Sequence, residues 1–144
     1  ELLDIRLIME PWVASLAAQH ATEEDVAELR ALCREIEDLI HAGENHLLRD
    51  EALHVRIARC TQNRVVPKLL PVIAYSVQLF GSLNDQRIYQ ETIDTHRQIV
   101  DAIAAHDPET AREAMYRHLA GNLTAITEQD QLHAQEETSP SGPI

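Results

Sequence analysis

The sequence predicts an all-α protein, an antiparallel bundle of helices, and three observations carry that prediction. Apolar residues recur at steps of three and four in nearly every stretch between turn signals, the period of a helix with one buried face. Only four of the 144 residues are glycine, so turns are few and the segments between them are long. No linker or internal repeat divides the chain, and an apolar content of 44% suffices for one core.

The first helix spans residues 1–19, with Leu2, Ile5, Met9, Trp12 or Val13, and Leu16 as its expected inward face. Pro11 interrupts the backbone hydrogen bonding of this stretch and predicts a kink or a split. Arg6 and Glu10 stand one turn apart, which from spacing alone reads as an exposed ion pair worth about 0.3–0.5 kcal/mol. Thr22, followed by Glu23, Glu24 and Asp25, has the form of an N-cap with acidic residues in the first turn. The helix it starts carries Val26, Leu29, Cys33, Ile36 and Ile40 inward and stops near Gly43.

A third helix holds Leu47, Asp50, His54 and Ile57 on one stripe and ends at Thr61-Gln62-Asn63. Residues 65–80 form a fourth, irregular helix with Pro67 in its first turn and Pro71 disturbing its second, and 81–85 form a loop. The fifth helix, from Gln86 to Ala105, puts Ile93, His96, Val100 and Ile103 on one face. Asp107 and Pro108 restart the chain as N-cap and first helical residue. The sixth helix then carries Ala111, Met115, His118, Asn122 and Ala125 inward. The bundle covers residues 1–133, and 134–144 form a disordered tail with nothing to bury.

Asp50, His54, His96 and His118 are thus polar residues at core positions on three helices. Each histidine alone reads as an ordinary core histidine. Four such groups together make a divalent metal site, because a carboxylate and neutral imidazoles suit zinc foremost and also nickel, manganese or iron. Positions left open on such an ion suit water or an anionic small molecule. His20, His41, His46, His106 and His133 fall at helix ends or in the tail and read as solvated.

The formal charge of −12 repels phosphate backbones, so no nucleic-acid contact is expected from this chain. No apolar run is long enough for a membrane span and no leader pattern is seen, which makes the expected location cytoplasmic. Cys33 and Cys60 lack paired spacing and read as reduced, structural residues. There is no HExxH, phosphate loop, nucleophile elbow or evident catalytic base. A small metal-dependent hydrolase and a metal-free oligomerisation bundle remain the alternatives to a sensing role.

Several short elements occur in a telling order. They are Arg6-Leu7-Ile8-Met9-Glu10 with Leu16-Ala17-Ala18, Asp50-x-x-Leu53-His54, Asn63, His96 through Ile103, and Met115-Tyr116-Arg117-His118-Leu119. Together, over residues 1–125, they resemble the C-terminal ligand-sensing domain (FCD) of the FadR subfamily of GntR-type bacterial transcriptional regulators. Leu53 stands where that family commonly has phenylalanine. The resemblance implies a bundle of six to seven helices, a homodimer, and a small carboxylate effector. It places the metal ligands on Asp50, His54, His96 and His118, and makes Arg6 an effector-binding residue whose guanidinium fork suits a carboxylate. It also implies a winged helix-turn-helix domain preceding this one, which these residues do not include.

Overall fold

The computed structural model describes residues 2–75 and 86–138, and among them it contains six helices and no strand. They are α1 (Leu2–His20), α2 (Glu23–His41), α3 (Leu47–Arg59), α4 (Val66–Ala74), α5 (Gln86–Ala104) and α6 (Pro108–Thr138). The fourth helix was expected to reach Phe80 before a loop at 81–85; residues 76–85 lie outside the described residues, as do 139–144 of the expected tail. Residues 134–138, assigned to that tail, instead continue α6, with 134–137 exposed. Among the described residues, no helix is long and apolar enough to cross a membrane.

Helix boundaries follow local chemistry. The Thr22 hydroxyl accepts from Asp25 N at 3.1 Å while the Asp25 carboxylate accepts from Thr22 N at 3.0 Å, a reciprocal cap on α2. At the other end Gly43, with φ of 69°, turns the chain left-handed, so that its N–H reaches Ile40 O and that of Glu44 reaches Leu39 O. These are the two hydrogen bonds of a Schellman ending, and glycine enters that conformation without a Cβ clash. The same pair recurs after α5, from His106 N to Ile103 O and from Asp107 N to Ala102 O, with His106 in the left-handed slot at φ of 52°. Asp107 caps α6 through Thr110 N and the Thr110 hydroxyl.

The first helix departs from the expected facing. It runs unbroken through Pro11, and its buried stripe is Leu3, Arg6, Glu10, Val13, Ala14, Ala17 and Ala18. Ile5, expected inside, is 43% exposed; of the alternatives Trp12 and Val13, Trp12 is 42% exposed and Val13 is the buried one; Leu2, Met9 and Leu16 are only partly buried. The helix is apolar on nearly every face, so periodicity alone left its rotation undetermined. Its inner face combines one polar pair with alanines, and small side chains let two helix axes approach closely. Helix α6, which brings Ala111 and Ala114 to the core, is the neighbour against which α1 packs most extensively.

On the other helices Leu29, Ile36, Ile57, Ile93, Val100, Ile103, Ala111 and Met115 are buried as expected, while Val26, Cys33, Ile40, Leu47, Asn122 and Ala125 are only partly buried. Leu29 and Ile36 of α2, Leu53, Ile57 and Ala58 of α3, Val66 and Leu70 of α4, Ile99, Val100 and Ile103 of α5, and Met115 and Leu119 of α6 form one contiguous cluster. Ion pairs at the rim tie α2 to its neighbours. Arg56 on α3 bonds both Asp25 and Glu28, and Arg30 and Arg97 reach Asp101 and Glu37 between α2 and α5. Cys33 and Cys60 are free thiols, pushed up to about 12 and about 11 chiefly by burial, and so are unreactive fillers.

Leu29 is fully buried and anchors α2. Replacement by alanine is expected to lower the unfolding free energy by about 2–5 kcal/mol, as measured by urea denaturation with an unchanged m value. A loss under about 0.5 kcal/mol would show that α2 contributes little to the common core.

Candidate metal centre

Three helices bring together the cluster anticipated from the stripes. Asp50 and His54 come from successive turns of α3, His96 from the centre of α5 and His118 from α6. All four are buried, at 6%, 1%, 1% and 3% exposure. Each offers one ligand-capable atom, and these atoms lie within 4.8 Å of one another. The imidazole centroids are 5.8 Å apart for His54 and His96, 5.3 Å for His54 and His118, and 4.5 Å for His96 and His118.

Charge in the cluster is unevenly shared. Asp50 Oδ1 lies 3.2 Å from His54 Nε2 and 3.7 Å from His96 Nε2. Burial opposes its ionisation, but the adjacent imidazoles, His96 first, hold its carboxyl well below the usual range. Burial pushes His96 down to about 4 against the pull of Asp50, and pushes His118 well below the ordinary histidine value, with His96 and His54 adding to the effect. Both rings are therefore neutral near pH 7, the state in which imidazole can ligate. Four buried ring nitrogens, Nε2 of His54, both of His96 and Nε2 of His118, have no hydrogen-bond partner. Native interiors seldom leave such groups unsatisfied, and a cation taking one lone pair from each ring would satisfy three of the four.

Helix α1 supplies a layer that spacing did not reveal. Arg6 and Glu10 are 2% and 1% exposed, not a surface pair. Arg6 Nε donates to Glu10 Oε1 at 2.5 Å, and Glu10 Oε2 pairs with His54 Nδ1. The carboxyl is held at about 2, since the charges of His54 and Arg6, with their hydrogen bonds, outweigh the cost of burial. An ionised carboxylate only accepts, so His54 Nδ1 carries a proton, while Nε2 is turned toward Asp50 and, without an ion, holds a second proton until the pH nears 9. A carboxylate behind a histidine in this way is the usual orienting partner of a metal-bound imidazole. Arg6, expected to hold an effector, here neutralises Glu10, and its Nη2 lies 3.4 Å from His54 Nδ1. Glu10 was visible in the sequence as an acid one turn from Arg6 and as an unplaced candidate base for the hydrolase alternative, not as a partner of His54.

Two other histidines differ from the expected solvated state. His46 is 8% exposed, packs edge-on against Tyr89 with centroids 5.4 Å apart, and is lowered from its ordinary value by burial. His106 is exposed, but its Nδ1 donates to the Ala18 carbonyl at 2.9 Å, fastening the α5–α6 turn to the end of α1. His20, His41 and His133 are exposed as expected.

Residues 1–121 match the FCD domain family. Among curated proteins, the HTH-type transcriptional regulator LutR of Bacillus subtilis is 30% identical over 130 residues, a span covering 83% of this chain and 58% of LutR. The Uxu operon regulator of Haemophilus influenzae is 29% identical over 126 residues, 83% of this chain and 47% of the regulator. Of solved structures, Streptococcus agalactiae GntR superposes with a TM-score of 0.75 at 35% identity, covering 83% of this chain and 55% of that one. E. coli McbR/YncC gives a TM-score of 0.76 at 17% identity over 89% and 63% of the two chains, a likeness of fold. The chain spans about half the length of the curated relatives it matches.

In chelator-treated protein the histidines set the pH dependence of stability. His54 is raised from 6.5 to about 9, burial being outweighed by Glu10 and Asp50, so its contribution is full below about 6.5 and is lost as pH rises toward 9. His96 and His118 are lowered, so their contributions are present above about 6.5 and are lost as pH falls, for His96 through about 4. Urea midpoints are expected to peak near pH 6.5 and fall on both sides, with the alkaline fall absent in His54→Gln. A midpoint that keeps rising above pH 7 would contradict the charge assignment of His54.

Proposed function

Because the chain belongs to the FCD domain family, we propose that it is the effector-sensing domain of a GntR-type bacterial transcriptional regulator, built around a divalent metal ion that helps bind a small organic acid. The observation that carries this reading is the convergence of Asp50, His54, His96 and His118, all buried, with four ring nitrogens left unpartnered. One carboxylate and three imidazoles are a donor set suited to zinc, with nickel, manganese and iron also served. When bound, the ion supplies a Lewis-acidic position at which an anionic oxygen can be held.

The protein residues divide the work. Asp50, His54, His96 and His118 hold the ion, and Glu10 aims His54. Arg6 stands beside the ligands as a fixed positive charge whose planar fork suits a carboxylate. An organic acid engaging Arg6 has to share it with Glu10, which couples effector binding to the position of α1. The acid shifts the domain toward one arrangement only as far as it binds that arrangement more tightly than the other. A DNA-binding domain elsewhere in the regulator then reads the change. The relatives named above are transcriptional regulators, which favours sensing over hydrolysis.

Homodimerisation is part of the same reading. The exposed side of α1 presents Ile5, Ile8 and Trp12, and Tyr116 of α6 is 54% exposed beside them. Ile8, Trp12 and Tyr116 line a groove of about 520 Å³ between the two helices. An apolar patch of this kind on a chain of net charge −12 is suited to a protein partner.

Elemental mass spectrometry of protein purified without chelator or affinity tag is expected to find about one divalent ion per chain, and none in His96→Ala. Citrate and sugar acids are then expected to raise the melting temperature of the metal-loaded protein and not of the chelated form. No metal in the wild type, even after incubation with zinc, nickel or manganese, would sink the metal-dependent reading.

A further inference from the structure

Thr95 lies on α5, one residue before His96, and is not itself a member of the four-residue cluster. Its hydroxyl oxygen is 2.9 Å from His118 Nδ1, 2.7 Å from the Glu91 carbonyl and 3.3 Å from the Thr92 carbonyl. A hydroxyl has one hydrogen, and a carbonyl can only accept. The short bond to Glu91, one turn back along the helix, therefore claims it. Toward His118 the oxygen has lone pairs left to offer. In a neutral ring, Nδ1 must then carry the proton and Nε2 must be bare, and Nε2 is the nitrogen of His118 buried without a partner.

We propose that Thr95 is a positioning residue for the metal centre, fixing His118 in the tautomer that presents the Nε2 lone pair to the ion. This rests on the reading of the cluster as a divalent-metal site. A free neutral imidazole favours the proton on Nε2, so without an acceptor at Nδ1 the ring would tend to present a proton where a lone pair is required. Glu10 holds His54 in the same sense through its carboxylate. Two of the three imidazoles are thus aimed from outside the cluster, one from α1 and one from α5. His96 has no hydrogen-bond partner at either nitrogen, and Asp50 Oδ1, 3.7 Å from its Nε2, is a member of the cluster itself.

The test uses the same chain with Thr95→Val, which removes the hydroxyl and keeps the shape, and Thr95→Ser, which keeps the hydroxyl. Long-range proton–nitrogen correlation spectra of chelated protein near neutral pH read the His118 tautomer directly. Competition with a chelating indicator, using zinc alone, reads affinity. The expected result is Nδ1–H at His118 in the wild type and Thr95→Ser, and a shift toward Nε2–H in Thr95→Val with zinc affinity about 10- to 100-fold weaker. Thr95→Ala is expected to give the same shift and serves if the valine variant fails to fold. An unchanged His118 tautomer in the variant lacking the hydroxyl overturns the proposal, as does zinc affinity within about twofold of wild type. If the wild type itself takes up no zinc, the metal reading falls and the proposal with it. Zinc uptake that is indifferent to Thr95 removes the proposal alone.

Discussion

The ion-paired line from Arg6 through Glu10 to His54 is the interaction on which the rest of the arrangement depends. Three ionisable groups lie almost wholly out of water, at 2%, 1% and 1% exposure. Glu10 is the anion both others share, so removing it leaves buried positive charge without its counterpart, which typically costs about 3–5 kcal/mol. The line also fixes geometry. It sets the rotation of α1 by requiring Arg6 and Glu10 to face inward, although more hydrophobic faces of that helix were available. Because Glu10 grips one nitrogen of His54, it decides what the other nitrogen can meet.

Packing around the cluster makes this polar line effective. Leu53, Ile57, Ile99, Met115 and Leu119 are all at or below 1% exposure, so the centre is set in apolar surroundings where charge interactions are screened little. The alanines of α1 and α6 occupy the region where those helices pack. A bulky residue there would push α1 outward and carry Glu10 away from His54. The packing stripe and the polar line thus depend on each other through the position of a single helix.

Much of this was legible in the sequence, unevenly so. On α3, α5 and α6 the apolar background is regular, so Asp50, His54, His96 and His118 stand out as polar interruptions of a periodic stripe. Caps at Thr22 and Asp107 and the stop at Gly43 were equally readable, since each rests on local backbone chemistry. On α1 the same method chose the wrong face, because Leu2, Ile5, Met9 and Leu16 outweigh a stripe made largely of alanines and an ion pair. Arg6 and Glu10 then looked like a surface pair, and only the family resemblance moved Arg6 inward. Thr95 gave no signal either. Its importance lies in a distance to a residue 23 positions away on another helix.

The close packing of α1 on α6 also bears on how the molecule comes into being. Glu10 meets His54 across 44 residues of sequence, and Thr95 meets His118 only once the last of these helices is present. Contacts of such separation form late, after the entropy of closing long loops has been overcome. During synthesis α1 can meet α3, α4 and α5, but α6, the neighbour it packs against most extensively, follows last of the described helices. The centre takes His118 from α6 and is therefore complete only when that helix has joined the others.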